Sequence, residues 1–282
     1  MKLASYLVAG RPSFGIVTGE GVIDVPRRLP EIPDLKSALA MIGGLDWLRG
    51  IEHETPDLQP DALRFLPPIV HPDKVLCIGL NYREHAAEVA KALPPHPTVF
   101  VRFADAQTGH GEPMIRPKVS TRYDYEGELA VVIGRDARHV KAGDALSYVA
   151  GYTCFNDGSV RDWQGHTTQF TAGKNFYRSG AMGPFLVTAD EAPDPSTLTV
   201  VTRLNGTVVQ DGQTSDMIFD VPALIAYVST FTPLSAGDVI ATGTPSGVGQ
   251  ARKPPLYMKG GDVVEVEIEG IGLLRNPIAD EA

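Results

Sequence analysis

The sequence predicts an α+β fold that is rich in β-strands and contains two domains. Its 29 glycines and 23 prolines among 282 residues cut the chain into short segments, which disfavours a helical bundle. Most of these segments are short apolar runs, or they alternate apolar and polar residues as strands do. The length allows a large domain with a small one beside it. We expect a small N-terminal α+β domain over residues 1–68 and a larger, β-rich domain over residues 69–282.

The N-terminal segment combines predicted strands with one predicted helix. Three short stretches alternate in the manner of strands: 3–8, 13–18 and 21–25. Glycines at 19 and 21 predict a hairpin turn between the last two stretches. The apolar spacing of Leu35, Leu39 and Ile42 predicts a helix over about 35–49. Residues 52–72 are rich in proline and aspartate and are typical of a linker.

The remainder of the chain predicts strands interrupted by two helices. Residues 81–91 have helical composition before the Pro94-Pro95 stop, with Asn81 as the expected N-cap, and residues 221–231 repeat apolar side chains near the helical period. Asn205-Gly206 is a strong hairpin signal between two strand-like runs. The predicted strands cover residues 74–78, 99–103, 128–133, 148–155, 198–204, 207–210, 239–242 and 263–268.

Charge and composition exclude several classes of function. The net charge of −9 argues against general nucleic-acid binding, because neutralising phosphates requires clustered lysine and arginine. No apolar stretch approaches the length of a membrane span, and the apolar run at the N-terminus is too short for a signal peptide. Cys77 and Cys154 lie in apolar runs without CxxC spacing, which is typical of buried thiols in a reducing compartment. We therefore expect a cytoplasmic protein with no nucleic-acid or membrane partner.

Two carboxylates, Glu126 and Glu128, stand two positions apart at the start of an apolar run. Side chains alternate faces along a strand, so these two would point the same way. Neighbouring carboxylates repel each other unless a cation lies between them, and burial makes the repulsion worse. A divalent metal ion would relieve it. The alternative is an exposed strand end with two solvated acids, which is the commoner setting for an isolated pair of this kind.

A second cluster of polar residues follows the apolar run that ends at Phe155. Asp157 would add a third carboxylate at a strand end, where folds often place binding residues. Three carboxylates, with other positions left to water or substrate, suit Mg²⁺ or Mn²⁺, whereas Zn²⁺ favours His or Cys. The alternative for Asp157 is a turn residue before Gly158.

Two further segments offer groups that bind anions. Lys174 lies in Gly173-Lys174-Asn175-Phe176, which lacks the glycine spacing and Ser/Thr of a P-loop. A lysine among glycines and aromatics can turn inward and stabilise an oxyanion, or it can simply lie on the surface. Thr244 lies in a glycine-rich loop after a predicted strand, so its hydroxyl and the loop amides could bind a carboxylate or keto oxygen. The alternative for this loop is a tight turn with no ligand.

His85 and Glu88 form the last candidate group. If residues 81–91 are helical, these two side chains are three positions apart and share one face. A carboxylate that orients an imidazole produces a competent general base for water. The alternative is a solvated helix face, on which such pairs are also common.

Taken in order, these segments resemble the fumarylacetoacetate hydrolase family. The resemblance covers about residues 70–278 and is carried by IGLNYREHAAE, YEGELAVVIG, GYTCFNDGSVRDWQ, GKNF, GDVIATGTPSGVG and GDVVEVEIEGIGLLRNP. It implies a mixed β-roll with a metal site at the mouth of the sheet, in a homodimer. The implied metal ligands, for Mg²⁺ or Mn²⁺, are Glu126, Glu128 and Asp157. The implied catalytic residues are His85 and Glu88, as a water-activating pair on a lid, and Lys174, which polarises the substrate. The implied substrate-binding residues are Arg161, Gln164 and Thr244.

The resemblance also implies a class of chemistry. Family substrates are 2-oxo acids or β-diketo acids, whose adjacent oxygens chelate the ion and so stabilise an enolate. Our first hypothesis is a metal-dependent hydrolase that cleaves a C–C bond in an acylpyruvate-like or fumarylacetoacetate-like acid. The second is a decarboxylase, hydratase or lyase for a related acid such as oxaloacetate, and the third is a non-catalytic protein with a structural ion. Two departures from the family pattern, Tyr177 in place of Asp and Arg102 in place of Lys, keep us from carrying over a particular substrate.

Overall fold

The computed structural model describes residues 1–192 and 194–282, which fold into strands joined by short helices. The strands are β1 (Lys2–Val8), β2 (Arg11–Val17), β3 (Val22–Asp24), β4 (Arg64–Phe65), β5 (Val75–Gly79), β6 (Thr98–Arg102), β7 (Gln107–Thr108), β8 (Met114–Arg116), β9 (Tyr123–Asp124), β10 (Gly127–Ile133), β11 (Val149–Asn156), β12 (Ser159–Val160), β13 (Gly180–Thr188), β14 (Thr199–Leu204), β15 (Thr207–Gln213), β16 (Val239–Ala241), β17 (Val263–Ile268) and β18 (Gly272–Asp280). The α-helices are α1 (Val25–Arg28), α2 (Leu35–Leu39), α3 (Arg83–Glu88), α4 (Arg161–Gln164), α5 (Thr171–Lys174) and α6 (Val221–Phe231). Short 3₁₀ turns cover Asp46–Gly50, Pro60–Ala62, Ala104–Ala106, Ala142–Tyr148, Thr214–Asp216 and Gly249–Ala251.

Two mixed sheets organise these elements. The larger has 11 strands, with the main order β3-β2-β1-β13-β11-β10-β16-β5-β6, while β4 pairs with β1 and β7 with β13. Its pairings are antiparallel except for β16 with β5 and β13 with β7. A five-stranded sheet has the order β15-β14-β17-β18-β8, and β12 pairs with β9 separately. The predicted α+β, β-rich fold class is confirmed.

Strand β10 lies between two hydrophobic clusters, which explains its uninterrupted apolar sequence. Leu129, Val131 and Ile133 join a cluster with apolar residues of the smaller sheet and of α6. Ala130 and Val132 face the other way and join a cluster that includes N-terminal residues. A strand buried on both faces needs apolar residues at every position rather than at alternate ones. The acidic residues at the start of β10 therefore enter the centre of the molecule.

The N-terminal strands belong to the larger sheet. β1 pairs with β13 in the register Lys2↔Val187 and Leu3↔Leu186. Leu3 and Leu35 also share a hydrophobic cluster with Ala130 and Val132 of β10. The predicted boundary near residue 68 falls between β4 and β5, and the division of the chain into two domains stays a prediction.

Two predicted helices are shorter than expected. The segment 35–49 forms α2 only to Leu39, and a 3₁₀ turn follows over Asp46–Gly50. The φ values of Gly43 and Gly44, +84° and +63°, prevent one continuous helix across the segment. The segment 81–91 forms α3 only over Arg83–Glu88, with Tyr82 rather than Asn81 at the N-cap. By contrast, α6 has the predicted bounds, and the Asn205-Gly206 hairpin joins β14 to β15 as expected.

Helices long and apolar enough to cross a membrane are absent from the described residues, 1–192 and 194–282.

Candidate active site

The ends of β10 and β11 bring three acidic side chains together. The two strands pair in antiparallel register, with Gly127 opposite Asn156, and the backbone N–H of Asp157 donates to the carbonyl of Glu126 at 2.9 Å. One carboxylate oxygen each from Glu126, Glu128 and Asp157 lies within 4.8 Å of the others, and all three residues are buried. We call these three acids, together with Lys174, the carboxylate floor. The structure assembles the predicted trio, and its role as a ligand set stays a prediction.

Two members of the carboxylate floor are held by buried cations. The Nζ of Lys174 donates to Glu126 Oε2 at 2.5 Å and to Asp157 Oδ2 at 2.6 Å. Arg161 pairs with Glu126 Oε1 at 2.7 Å, and Arg102 pairs with the Oδ1 of Asp157. Burial alone would raise the pKa of Glu126, but the charges of Arg161 and Lys174 hold that pKa below its usual range. Glu126 is therefore ionised in the folded protein.

Glu128 has a different environment. Its Oε2 accepts one backbone N–H, from Gly243 at 2.9 Å, and within the described residues it forms no ion pair. Burial, together with the negative charges of Asp157 and Glu126, raises the pKa of Glu128 well above its usual value. A divalent cation with a preference for oxygen would remove this penalty. The donor set therefore fits Mg²⁺ or Mn²⁺, which oxygen ligands bind in preference to softer metals.

Lys174 is buried and stays charged. Burial lowers the pKa of its ammonium group, but the charges of Asp157 and Glu126 more than compensate and raise it above the ordinary value. Its Nζ also lies 5.1 Å from the centre of the Phe100 ring. A lysine with a raised pKa is a hydrogen-bond donor and a fixed positive charge rather than a general base. The inward orientation, one of the two alternatives open from sequence, is the one observed.

The turn that carries Lys174 is held by its neighbours. A Cβ atom at Gly173 would lie 2.3 Å from the backbone nitrogen of Gln164, so only glycine permits this approach of α5 to α4. The side-chain amide of Asn175 donates to the carbonyls of Val101 at 3.0 Å and Thr171 at 2.9 Å, and it accepts from the N–H of Phe103 at 2.7 Å. Asn175 therefore joins α5 to the outer side of β6.

His85 and Glu88 form the pair that the helical spacing predicts. His85 Nδ1 lies 3.0 Å from one carboxylate oxygen of Glu88, and the other oxygen accepts the N–H of Gly247 at 2.9 Å. Asn81 does not cap α3, since its amide donates to the carbonyls of Phe219 and Thr242. Tyr82, with extended backbone, takes the N-cap position instead, and the Asn81 side chain is committed to those distant partners.

The glycine-rich loop closes over the carboxylate floor. Gly243 has φ of +99°, and a Cβ there would lie 2.8 Å from the Cβ of Asn81. The hydroxyl of Thr244 donates to the carbonyl of Gly127 at 2.9 Å and accepts from the amide of Gln210 at 2.8 Å. Thr244 therefore fixes the loop onto β10, while its predicted contact with substrate stays a prediction.

Arg161 and Gln164 lie side by side on α4. The guanidinium of Arg161 donates to Asp124 at 2.8 Å and to the amide oxygen of Gln164 at 3.0 Å, in addition to its pair with Glu126. Burial lowers the pKa of Arg161, but Glu126 and Asp124 raise it above the ordinary value, so the group stays charged. The charge of Arg161 is already balanced by two acids. Gln164 is therefore more available than Arg161 for hydrogen bonds to a ligand.

All nine predicted site residues line one cavity of about 610 Å³. They are Glu126, Glu128, Asp157, His85, Glu88, Lys174, Arg161, Gln164 and Thr244. A larger cavity of about 890 Å³ lies elsewhere, beside Leu39, Arg49 and Tyr148. In the part of the chain that the structure describes, only the acidic trio brings three potential metal-ligand side chains together. We therefore take the smaller cavity, which contains this trio, as the candidate active site.

Two supporting residues escape sequence reasoning. The buried carboxylate of Asp124 accepts from the backbone N–H groups of Gly249 and Gln250 and from Arg161, which ties the glycine-rich loop to α4. Its signal was an acid between two aromatic residues at the head of a buried strand. Gln210 accepts the N–H of Gly127 at 3.0 Å from 83 residues away, and no local pattern marks such a contact.

Comparisons with known proteins point to one family. The family model described as fumarylacetoacetate (FAA) hydrolase C-terminal matches residues 74–279. A Homo sapiens protein named oxaloacetate tautomerase FAHD2A, mitochondrial, is 40% identical over 282 residues, covering 98% of this chain and 89% of that protein. Among solved structures, a fumarylacetoacetate hydrolase from Exiguobacterium antarcticum has a TM-score of 0.83 at 35% identity, with 100% of each chain covered. A 5-carboxymethyl-2-hydroxymuconate delta-isomerase from Mycobacterium smegmatis has a TM-score of 0.79 at 32% identity, again covering 100% of each chain.

Proposed function

The chain belongs to the fumarylacetoacetate hydrolase family, and on that premise we propose that it is a metal-assisted tautomerase that interconverts the keto and enol forms of oxaloacetate. One observation carries the proposal: a carboxylate trio suited to a divalent ion and a hydrogen-bonded His85–Glu88 pair face the same cavity. The resemblance of almost the whole chain to a protein named as an oxaloacetate tautomerase supports the choice of substrate.

In this proposal Glu126, Glu128 and Asp157 hold Mg²⁺ or Mn²⁺. When bound, the ion would supply a Lewis acid that polarises the 2-oxo group of the substrate. Lys174 places a permanent positive charge beside two of these acids and can donate a hydrogen bond to a substrate oxygen that becomes negative. Its buried position keeps that charge away from solvent, where it would be screened.

His85 is the proposed proton carrier. In the tautomer that this role requires, the Nδ1–H of His85 donates to Glu88, 3.0 Å away, and Nε2 is left as the acceptor. In the keto-to-enol direction, a proton leaves the C3 carbon of oxaloacetate for Nε2, and the resulting imidazolium delivers that proton to the C2 oxygen, which returns the ring to its starting state. Glu88 also stabilises the imidazolium that forms. The reverse direction uses the same groups, and neither direction consumes water.

The second candidate is hydrolysis of a C–C bond in a β-diketo acid. The resemblance to a fumarylacetoacetate hydrolase over the whole chain favours it, and the same His85–Glu88 pair would activate water. Decarboxylase, hydratase and lyase reactions on related 2-oxo acids use the same site. Tautomerisation is our first choice because the tautomerase relative is the more similar of the two proteins.

The test is a substrate screen of the purified protein with Mg²⁺, with Mn²⁺ and after treatment with EDTA. We expect metal-dependent conversion of oxaloacetate enol to keto form, followed by ultraviolet absorbance, with no carbon lost by NMR. Acylpyruvate and fumarylacetoacetate are assayed in parallel, with the products identified. Cleavage of these acids without tautomerisation would overturn the first proposal in favour of the second, and release of pyruvate and CO₂ from oxaloacetate would identify a decarboxylase.

We also propose a homodimer and a cytoplasmic location. The dimer is drawn from family resemblance, and light scattering of the purified protein tests it. The location is drawn from composition, whereas the human relative is named as mitochondrial. Microscopy of the tagged native chain tests it.

A further inference from the structure

The positive charges that line the active-site cavity differ in how they are balanced. Arg161 is paired with Glu126 and Asp124, and Lys174 is paired with Glu126 and Asp157. His85 is hydrogen bonded to Glu88. The remaining lysine, Lys91, lines the same cavity, and no carboxylate of the described residues forms an ion pair with it. It is the one lysine or arginine of the cavity with its charge available to a ligand.

The turn that ends α3 fixes the position of the Lys91 backbone. Ala90 adopts φ of +53°, which ends α3 in a left-handed turn. The N–H of Lys91 then donates to the carbonyl of Ala86 at 2.9 Å, and that of Ala90 to the carbonyl of Ala87 at 3.1 Å. This paired capping pattern ends the helix that carries His85 and Glu88. It places the Cα of Lys91 just after that helix. The side chain is exposed and free to extend toward a bound anion.

Apart from the cations described above and from Glu88, whose two carboxylate oxygens are hydrogen bonded to His85 and to the Gly247 N–H, the exposed or half-buried polar side chains of the cavity are neutral. Gln164, Thr167 and Gln250 line it and supply hydrogen bonds without charge. A 2-oxo acid whose carboxylate and keto oxygens lie at the carboxylate floor would extend its far end toward these side chains. If the far end of the substrate is neutral, hydrogen bonds from the neutral side chains are enough to bind it. If the far end is a second carboxylate, a cation is needed to balance its charge.

We propose that Lys91 binds the distal carboxylate of the substrate and makes the cavity selective for dicarboxylic 2-oxo acids. The inference rests on the proposed function for the position of the 2-oxo group at the carboxylate floor. Because Lys91 remains partly in water, the ion pair should change affinity by about fivefold rather than by orders of magnitude. Lys91 is thus a specificity residue and takes no part in proton transfer.

The first experiment measures binding and requires no turnover. Calorimetry in Mg²⁺ compares 2-oxoglutarate with 2-oxopentanoate, which have equal chain length and differ by one terminal carboxylate. We expect the wild-type preference for the dicarboxylate to fall by about fivefold in Lys91→Met and to return in Lys91→Arg. Lys118→Met, at an exposed lysine outside the cavity, should leave it unchanged. An unaltered preference in Lys91→Met overturns the inference.

The second experiment separates this inference from the proposed function. Tautomerisation of oxaloacetate is compared with that of phenylpyruvate, a monocarboxylate. Lys91→Met should raise KM for oxaloacetate with little change in kcat and leave both constants for phenylpyruvate unchanged. A wild-type protein without tautomerase activity refutes the proposed function, and the calorimetric preference then decides the role of Lys91 alone. A fall in kcat for both substrates would refute pure substrate selection.

Discussion

The carboxylate floor and α3 face each other across one cavity, yet they are built in different ways. The acids of the floor lie on or beside the central strands β10 and β11, and Glu128 and Lys174 are only 2% and 1% exposed. Helix α3 has six residues and is held by a few polar contacts, among them Glu84 N–H to Asp216 at 3.0 Å and Gly247 N–H to Glu88 at 2.9 Å. A helix this short depends on such contacts for its existence.

The difference shows how the two halves of the site acquire their chemistry. At the floor, burial concentrates like charges, and Lys174, Arg161 and Arg102 offset the charges of Glu126 and Asp157 but not that of Glu128. At α3, the chemistry depends on position, because a proton carrier acts only within hydrogen-bond reach of the substrate. Changes at the floor should therefore alter metal affinity and stability, while changes at α3 should alter rate.

The largest effect is expected from Glu128→Gln. The amide keeps an acceptor for the Gly243 N–H but removes one charge, so Mg²⁺ affinity should fall by about 100-fold or more and turnover should be lost. The raised pKa of Glu128 means that ionisation opposes folding above its unfolded-state pKa, so at neutral pH the metal-free variant should be at least as stable as wild type. Calorimetry and urea denaturation in EDTA measure both.

Glu269→Gln is the matched control, because Glu269 is exposed on the short turn between β17 and β18. It should leave metal affinity and stability unchanged. Undiminished Mg²⁺ binding by Glu128→Gln would remove this residue from the ligand set, and a large loss of metal-free stability would refute the repulsion argument.

An intermediate effect is expected at α3 from His85→Asn. Loss of the proposed proton carrier should lower kcat by about 100-fold or more, while Mg²⁺ and oxalate, for which we propose binding at the floor, should keep their affinities. Steady-state kinetics and calorimetry on the same preparation separate the two properties. His53→Asn, at an exposed histidine in another region, is the control. Equal kcat in His85→Asn and wild type would eliminate the proposed role of His85.

The smallest effect is expected from a pair of glycine substitutions around α3. Ala90 has a positive φ, so Ala90→Gly relieves backbone strain and should stabilise the protein by up to about 1 kcal/mol. Ala87 is exposed inside the helix, where Ala87→Gly should destabilise by about 1 kcal/mol. Chemical denaturation of both variants gives the two signs. The same sign for both would show that α3 does not end in the observed capping turn.

Local patterns marked the candidate residues of the site and the family resemblance suggested their roles, but neither indicated the residues that support them. Glu126, Glu128 and Asp157 were recognisable because each adjoins an apolar strand, and adjacent strands bring their ends together. Gln210 acts on Gly127 across 83 residues, and Asn81 acts on Phe219 across 138, so neither contact leaves a periodic signal nearby. The break in the predicted helix at Gly43 and Gly44 was visible in the sequence, yet apolar spacing outweighed it.

The fold was predictable in class more readily than in pairing. Short alternating runs identify strands, but nothing in residues 2–8 specifies β13 as a neighbour more than 170 residues away. Pairing over that separation depends on burial of both faces, which is a property of the whole sheet.

The contacts of Asn175 have a consequence for the behaviour of the protein in concentrated solution. β6 is an outermost strand, and an outer strand with free backbone groups is where polypeptides stack and precipitate. The amide of Asn175 occupies the Val101 carbonyl and the Phe103 N–H on that side, in the place of an intruding strand. One side chain thus occupies two backbone groups that an added strand would need and also holds the turn that presents Lys174, so we expect solubility and the geometry of the site to depend on the same amide.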